Sequence, residues 1–186
     1  MSYKKYKKHV LDERKYKKEI NKLTEYLYNT VVEKYEIPKK TIKIPSFSMC
    51  KTSLKELFPS YDIYSHKITI PTYLFSDKQE LRRIMEEEIL HHILLEENED
   101  VREFLLQSKD PYATGILKII IEFFTQAIQF QISENKEMLK KLFNNSKITE
   151  IPHSELKELL KSYVNLNPKN SEELKEFVQK SLKYIF

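Results

Sequence analysis

Residues 76–100 read SDKQELRRIMEEEILHHILLEENED. The stretch carries the apolar spacing of a helix. On a wheel of about 100° per residue, Leu81, Ile84, Met85, Ile89 and Leu95 share one face, and Arg82, Arg83 and Glu86 lie opposite. Two polar side chains, Glu88 and His92, fall inside the apolar face. His91 lies at its flank, with Glu87 one turn earlier on the same side. A carboxylate carried into a core is costly unless it is paired, protonated or near a metal. Two readings follow. In one, Glu88 bonds a buried tyrosine or His92, and the histidines are ordinary half-buried groups. In the other, these residues form a working site. Glu-x-x-His alone does not choose between them, since it occurs again at Glu150–His153, where Pro152 breaks the helical geometry.

The pattern extends in both directions. Ile20, Leu23, Leu27, Val31 and Tyr35 recur at helical spacing, so the first 35 or so residues read as one amphipathic helix ended by Pro38. KKTIKIPSF, residues 39–47, alternates and is β-branched, which predicts a short strand. SLKELF, residues 53–58, suggests a helical turn. YDIYSHKITIP reads as two short strands around a turn at Ser65 and His66, with Pro71 restricted to a strand end or edge. Ser76 and Gln79 give a capping-box signal, so a helix begins near Asp77 and runs to about Asn98. An acidic loop or second short helix follows. The most apolar helix is expected from about Pro111 to Ser133. After NNSK come two more, one after Pro152 and one from Ser171, with Asn170 and Glu173 as a capping box. The fold class is α+β, predominantly helical, with a small sheet.

Composition narrows the chemistry. Gly115 is the only glycine, so phosphate-cradling loops of the P-loop or Rossmann kind are excluded. Cys50 is the only cysteine, which excludes an internal disulfide and multi-cysteine zinc sites and fits a reducing, cytoplasmic location. The apolar run GILKIIIEFFTQAIQF contains Lys118, Glu122, Gln126 and Gln129, and no membrane partner is expected from it. The net charge is +4, concentrated at the N-terminus, where Lys4, Lys5, Lys7 and Lys8 interleave with Tyr3 and Tyr6. That segment is either a solvated helix end or a weak nucleic-acid contact.

The segment from Tyr61 to Glu97, with EEILHH at its centre, resembles the core of small zincin metallopeptidases of the minimal gluzincin kind. Those proteins run helix, short strands, an edge strand of the KITIP type, then a helix carrying HExxHH. The resemblance covers roughly Lys40 to Gln131. It implies a zincin-like core with a basic N-terminal helix over 1–133, and a helical C-terminal extension packed on it over 134–186. It also implies roles. Glu88 falls on the catalytic general base and His91 on the second zinc-binding histidine, while Glu87 stands where the first histidine should be. His92 becomes an outer-shell donor. The third ligand, taken from the next helix, falls on Glu122, the only acidic residue between Ile116 and Ile132. Glu122 shares a helix face with Lys118, Thr125, Gln126 and Gln129. That stripe is either a solvent face with a Glu122–Lys118 pair or the far wall of a cleft.

The implied metal is zinc, or Mn²⁺ or Fe²⁺ given a donor set richer in carboxylate, and the ion is also open to having been lost. With an ion, Glu88 would take a proton from attacking water and pass it to the leaving amine of a peptide. A peptide or protein partner would lie along the edge strand at Lys67–Ile70, with His66 or Tyr112 near the oxyanion. Without an ion, the same fold would serve as an inactive binding module.

Overall fold

The computed structural model describes residues 3–50, 58–134, 136–143 and 146–186, with side chains from Arg14 onward except Ser146. The turn expected over 53–58 lies outside these residues apart from Phe58. The elements are α1 (Tyr3–Tyr35), β1 (Ser46–Cys50), β2 (Ser60–Asp62), β3 (Lys67–Pro71), α2 (Lys78–Glu97), α3 (Glu99–Gln107), α4 (Pro111–Ile132), α5 (Lys136–Leu142), α6 (Ser146–Glu150), α7 (His153–Val164) and α8 (Ser171–Ile185). The chain is mostly helical with one small mixed sheet, as the apolar spacing predicts.

The sheet order is β1-β3-β2, with β1 parallel and β2 antiparallel to β3. KITIP is therefore the central strand, with Ile68 and Ile70 fully buried. This corrects the expectation that a partner would add along Lys67–Ile70, because both sides of that backbone are already paired. The strand at the sheet's end is β2. The strand expected over 39–47 also moves, since β1 begins only at Ser46. Pro45 has no N–H for a ladder, and nearby backbone groups are engaged by side chains. The Tyr28 hydroxyl meets the backbone of Lys40, and the Lys43 carbonyl accepts from His92 Nε2.

Local chemistry sets the helix ends. After Tyr35, Glu36 adopts φ 53° and the Ile37 N–H reaches back to the Val32 carbonyl at 3.1 Å. This left-handed closure usually takes glycine. Here the Glu36 carboxylate also pairs with Lys157 and Lys161 of α7. At α2 the cap is Asp77, which accepts from Gln79 and Glu80 N–H, both at 3.0 Å. Ser76 instead bonds the Tyr73 carbonyl, because Thr72–Ser76 forms a 3-10 turn that shifts the helix start by one residue. Asn170 caps α8 as expected, while α5 and α6 were not anticipated from the sequence.

One continuous core runs from Ile20 of α1 through α2 and α4 to Phe177 of α8. Ile89, Leu90, Ile93 and Leu94 of α2 meet Leu117, Ile120, Phe124 and Ile128 of α4 in it. Phe124, Tyr163 and Phe177 pack with ring centroids 5.7–6.2 Å apart, so the C-terminal helices share this core. By length and composition alone α4 would cross a membrane, but 56% of its most apolar window is buried inside the protein.

Asn98 joins two layers. Its carbonyl caps α3 through the Val101 N–H at 2.9 Å, and its amide donates to the carbonyls of Tyr163 and Leu166. Removing it deletes a cap and the side-chain donor to the Leu166 carbonyl, while the Tyr163 carbonyl keeps the Leu166 N–H. Asn98→Ala should cost about 2–4 kcal/mol by urea denaturation, against about 1 kcal/mol for Asp77→Ala, whose cap faces solvent.

Candidate active-site cleft

α2 and α4 bring the sequence candidates together. Glu87, Glu88 and His91 face a cleft of 480 Å³ whose other walls are Lys118, Ile121 and Glu122 of α4, residues 59–63 around β2, and Leu105. His91 Nε2 lies 2.9 Å from Glu122 Oε2, and its Nδ1 lies 3.8 Å from Glu88 Oε2. The polar stripe of α4 therefore divides, with Lys118 exposed and the Glu122 side chain 45% exposed at the cleft mouth. Thr125 and Gln129 on the same stripe are fully buried, and Gln129 donates to the Arg83 carbonyl at 2.8 Å. Glu122 bonds His91 and Gln126, while Lys118 lines the cleft without being its partner.

His91 sits between two carboxylates, one at each ring nitrogen. Burial works against its charged form. The bonds to Glu122 and Glu88 outweigh that and lift its pKa to about 9. The same bond holds Glu122 below the usual carboxylate range despite partial burial. His91 is thus an imidazolium at neutral pH, donating from Nε2 to Glu122, with the Glu88 carboxylate 3.8 Å from Nδ1. Glu87 is drawn elsewhere: Arg83 Nη1 lies 2.5 Å from its Oε2, and Arg83 is fixed in turn by both oxygens of Glu80 at 2.9 Å. Burial raises the pKa of Glu87, and Arg83 opposes that rise.

The expected metal triad can be tested against this geometry. A metal ligand must offer a ring-nitrogen lone pair, and His91 Nε2 is engaged by Glu122. A cation's place beside Glu87 is already taken by the Arg83 guanidinium. Glu87, His91 and Glu122 therefore share a cleft, with Glu87 turned to Arg83 and His91 Nε2 paired to Glu122 in this arrangement. Glu88 is buried, as the wheel predicts.

Among the described residues, a different group could hold a metal ion: His66, His92 and Glu96, one ligand atom from each within 4.8 Å of the others. This relocates His92. Instead of supporting His91 from behind, its Nε2 donates to the Lys43 carbonyl at 2.6 Å and its Nδ1 accepts from the Tyr61 hydroxyl at 2.9 Å. His66 lies in this second cluster, and Tyr112 is 77% exposed on the first turn of α4, so neither serves an oxyanion in the cleft. The i,i+4 spacing of His92 and Glu96 was visible in the sequence. The approach of His66 and Tyr61 was not, because it depends on the sheet. Lys4, Lys5, Lys7 and Lys8 fall in the first turns of α1, with side chains outside the described residues.

The pairing of His91 predicts a pH dependence. Its folded pKa lies above the unfolded value, so its stabilisation is complete below about pH 6.5 and is lost as pH rises through about 9. Wild type should lose on the order of 2–3 kcal/mol more than His91→Gln between pH 6 and 9.5 in urea titrations. Equal losses would exclude the charged pair. Searches with the whole chain found no matching protein family, no matching curated protein and no matching solved structure.

Proposed function

We propose that this chain is a zincin-like binding module, a relative of minimal gluzincin peptidases that keeps the peptide cleft and has replaced the metal centre with a charge-paired cluster. The observation that carries the reading is the His91 Nε2–Glu122 pair together with the Arg83–Glu87 pair. Arg83 pairs with Glu87 while also held by Glu80, and His91 pairs with Glu122.

The order of elements supports the kinship. A long helix precedes a mixed sheet, an antiparallel end strand borders the cleft, the EEILHH helix forms its floor, and the next helix contributes the facing glutamate. The ligand class follows from the walls. Ile63, Leu95, Leu105 and Ile121 make the cleft largely apolar. The outer side of β2 offers backbone groups to an extended segment, which gains ladder hydrogen bonds while its alternate side chains enter the cleft. A peptide with an apolar side chain facing Ile121 fits these walls.

A second reading is metal-dependent hydrolysis, with Glu88 as base. It is favoured by the 2.9 Å approach of His91 to Glu122, close to the spacing of two ligands on one ion.

One experiment separates the two. A library of short peptides is panned on the full chain, with and without EDTA, and selected peptides are incubated with Zn²⁺ or Mn²⁺. The binding reading expects capture that survives EDTA, drops at least about tenfold in Ser60→Trp, which fills the cleft from its exposed edge, and is followed by no cleavage. Metal-dependent cleavage that disappears in Glu88→Gln would overturn it and establish the hydrolase.

A further inference from the structure

The geometry points to a structural metal site for a divalent transition ion, formed by His66, His92, Glu96 and the Tyr61 hydroxyl behind the cleft wall. Its donors come from three places: β2 supplies Tyr61, the turn before β3 supplies His66, and one face of α2 supplies His92 and Glu96. The Tyr61 hydroxyl lies 2.9 Å from His92 Nδ1 and 3.0 Å from His66 Nδ1, and Glu96 Oε1 lies 3.0 Å from His66 Nδ1. Two ligands on a tetrahedral zinc at its usual bond lengths stand roughly 3.3 Å apart. These contacts are at or just under that spacing, so an ion enters by small movements of side chains already gathered. The set of two imidazoles, one carboxylate and one phenol oxygen suits zinc or cobalt better than calcium or magnesium, which take all-oxygen shells.

The surroundings resemble those of a ligand set. His92 is fully buried and donates Nε2–H to the Lys43 carbonyl, which fixes its tautomer and turns the Nδ1 lone pair into the cluster. His66 is held at φ 50°, a left-handed conformation that side-chain-bearing residues seldom adopt and that commonly marks a functional turn. An opening of 220 Å³ lined by Lys40, Thr41, Lys43, Glu96 and Arg102 gives solvent a route to the cluster.

Arg102 is the group that must yield. Its Nη1 lies 2.7 Å from His66 Nε2 and therefore donates to it, which places the His66 proton on Nδ1. Binding moves that proton to Nε2 through solvent. One N–H bond breaks, another forms, and nothing is oxidised or reduced. Arg102 then turns away from His66 while keeping Glu96 and Glu99, which it already bonds at 3.1 and 2.7 Å. Its buried Nε lacks a hydrogen-bond partner in the present arrangement, so leaving His66 does not dismantle a complete shell. The ion would tie β2 and the turn to α2. Because Tyr61 also lines the cleft, it would fix the cleft's wall and take no part in chemistry there.

The test uses the full chain, stripped with EDTA, re-equilibrated with Zn²⁺ and gel-filtered, with bound zinc measured by elemental analysis. A Co²⁺ titration runs in parallel, read by its visible d–d absorption. The expectation is one zinc per chain, a tetrahedral cobalt spectrum, and affinity at least about tenfold weaker in Glu96→Gln and His92→Gln. His91→Gln and Glu122→Gln should bind as wild type does, which separates this site from the cleft. Glu96→Gln keeps the shape and hydrogen-bonding capacity of the side chain. It therefore reports on ligation if His92→Gln fails to fold, with circular dichroism checking each variant. Absence of stoichiometric zinc, undiminished affinity in Glu96→Gln, or loss confined to the His91 and Glu122 variants would overturn the assignment.

Discussion

Desolvation of the polar groups on α2 organises this molecule. Within twelve residues, Glu87, Glu88, His91, His92, Glu96, Glu97 and Asn98 are all buried or half-buried. A buried charge or amide left alone is costly; Glu87 finds Arg83 on α2 itself, and most of the others are met from elsewhere. Glu122 of α4 meets His91, Tyr61 of β2 meets His92, Arg102 of α3 meets Glu96, Lys40 lies 3.8 Å from Glu97, and backbone carbonyls of 163 and 166 meet Asn98. The neighbours of α2 are thus specified by apolar packing and also by which polar group each one satisfies.

The same constraint divides α2 into two chemical faces. One opens on the cleft, where, against burial, the Glu122 carboxylate lifts the pKa of His91. The other closes on the sheet, where burial lowers the pKa values of His66 and His92 and favours neutral rings. Adjacent histidines, 91 and 92, thereby differ in charge at neutral pH because one meets two carboxylates and the other a carbonyl and a hydroxyl.

Much of the architecture was legible in the sequence. Helical periodicity located α1, α2, α4, α7 and α8, and the cap at Asn170 marks the start of α8. Glu88 and His92 could be placed inside the apolar face, and both are buried. The convergence of Glu122 on His91 followed from treating the polar stripe of α4 as a cleft wall. The strand boundary at Ser46 and the short helices α5 and α6 were less legible, because few residues act there and tertiary contacts outweigh local preference.

Periodicity determined which side chains of α2 leave water, since 3.6 residues per turn fixes the faces of a helix wherever it packs. Only the tertiary structure decided their partners. The carboxylate of Glu87 turns to Arg83, and KITIP becomes the central strand of the sheet. His66 joins His92 because a left-handed turn and a three-stranded register bring residues 26 apart in sequence onto one hydroxyl. Spacing along one helix constrains direction, but contact between separate elements depends on how the whole chain closes, and no local pattern encodes that distance.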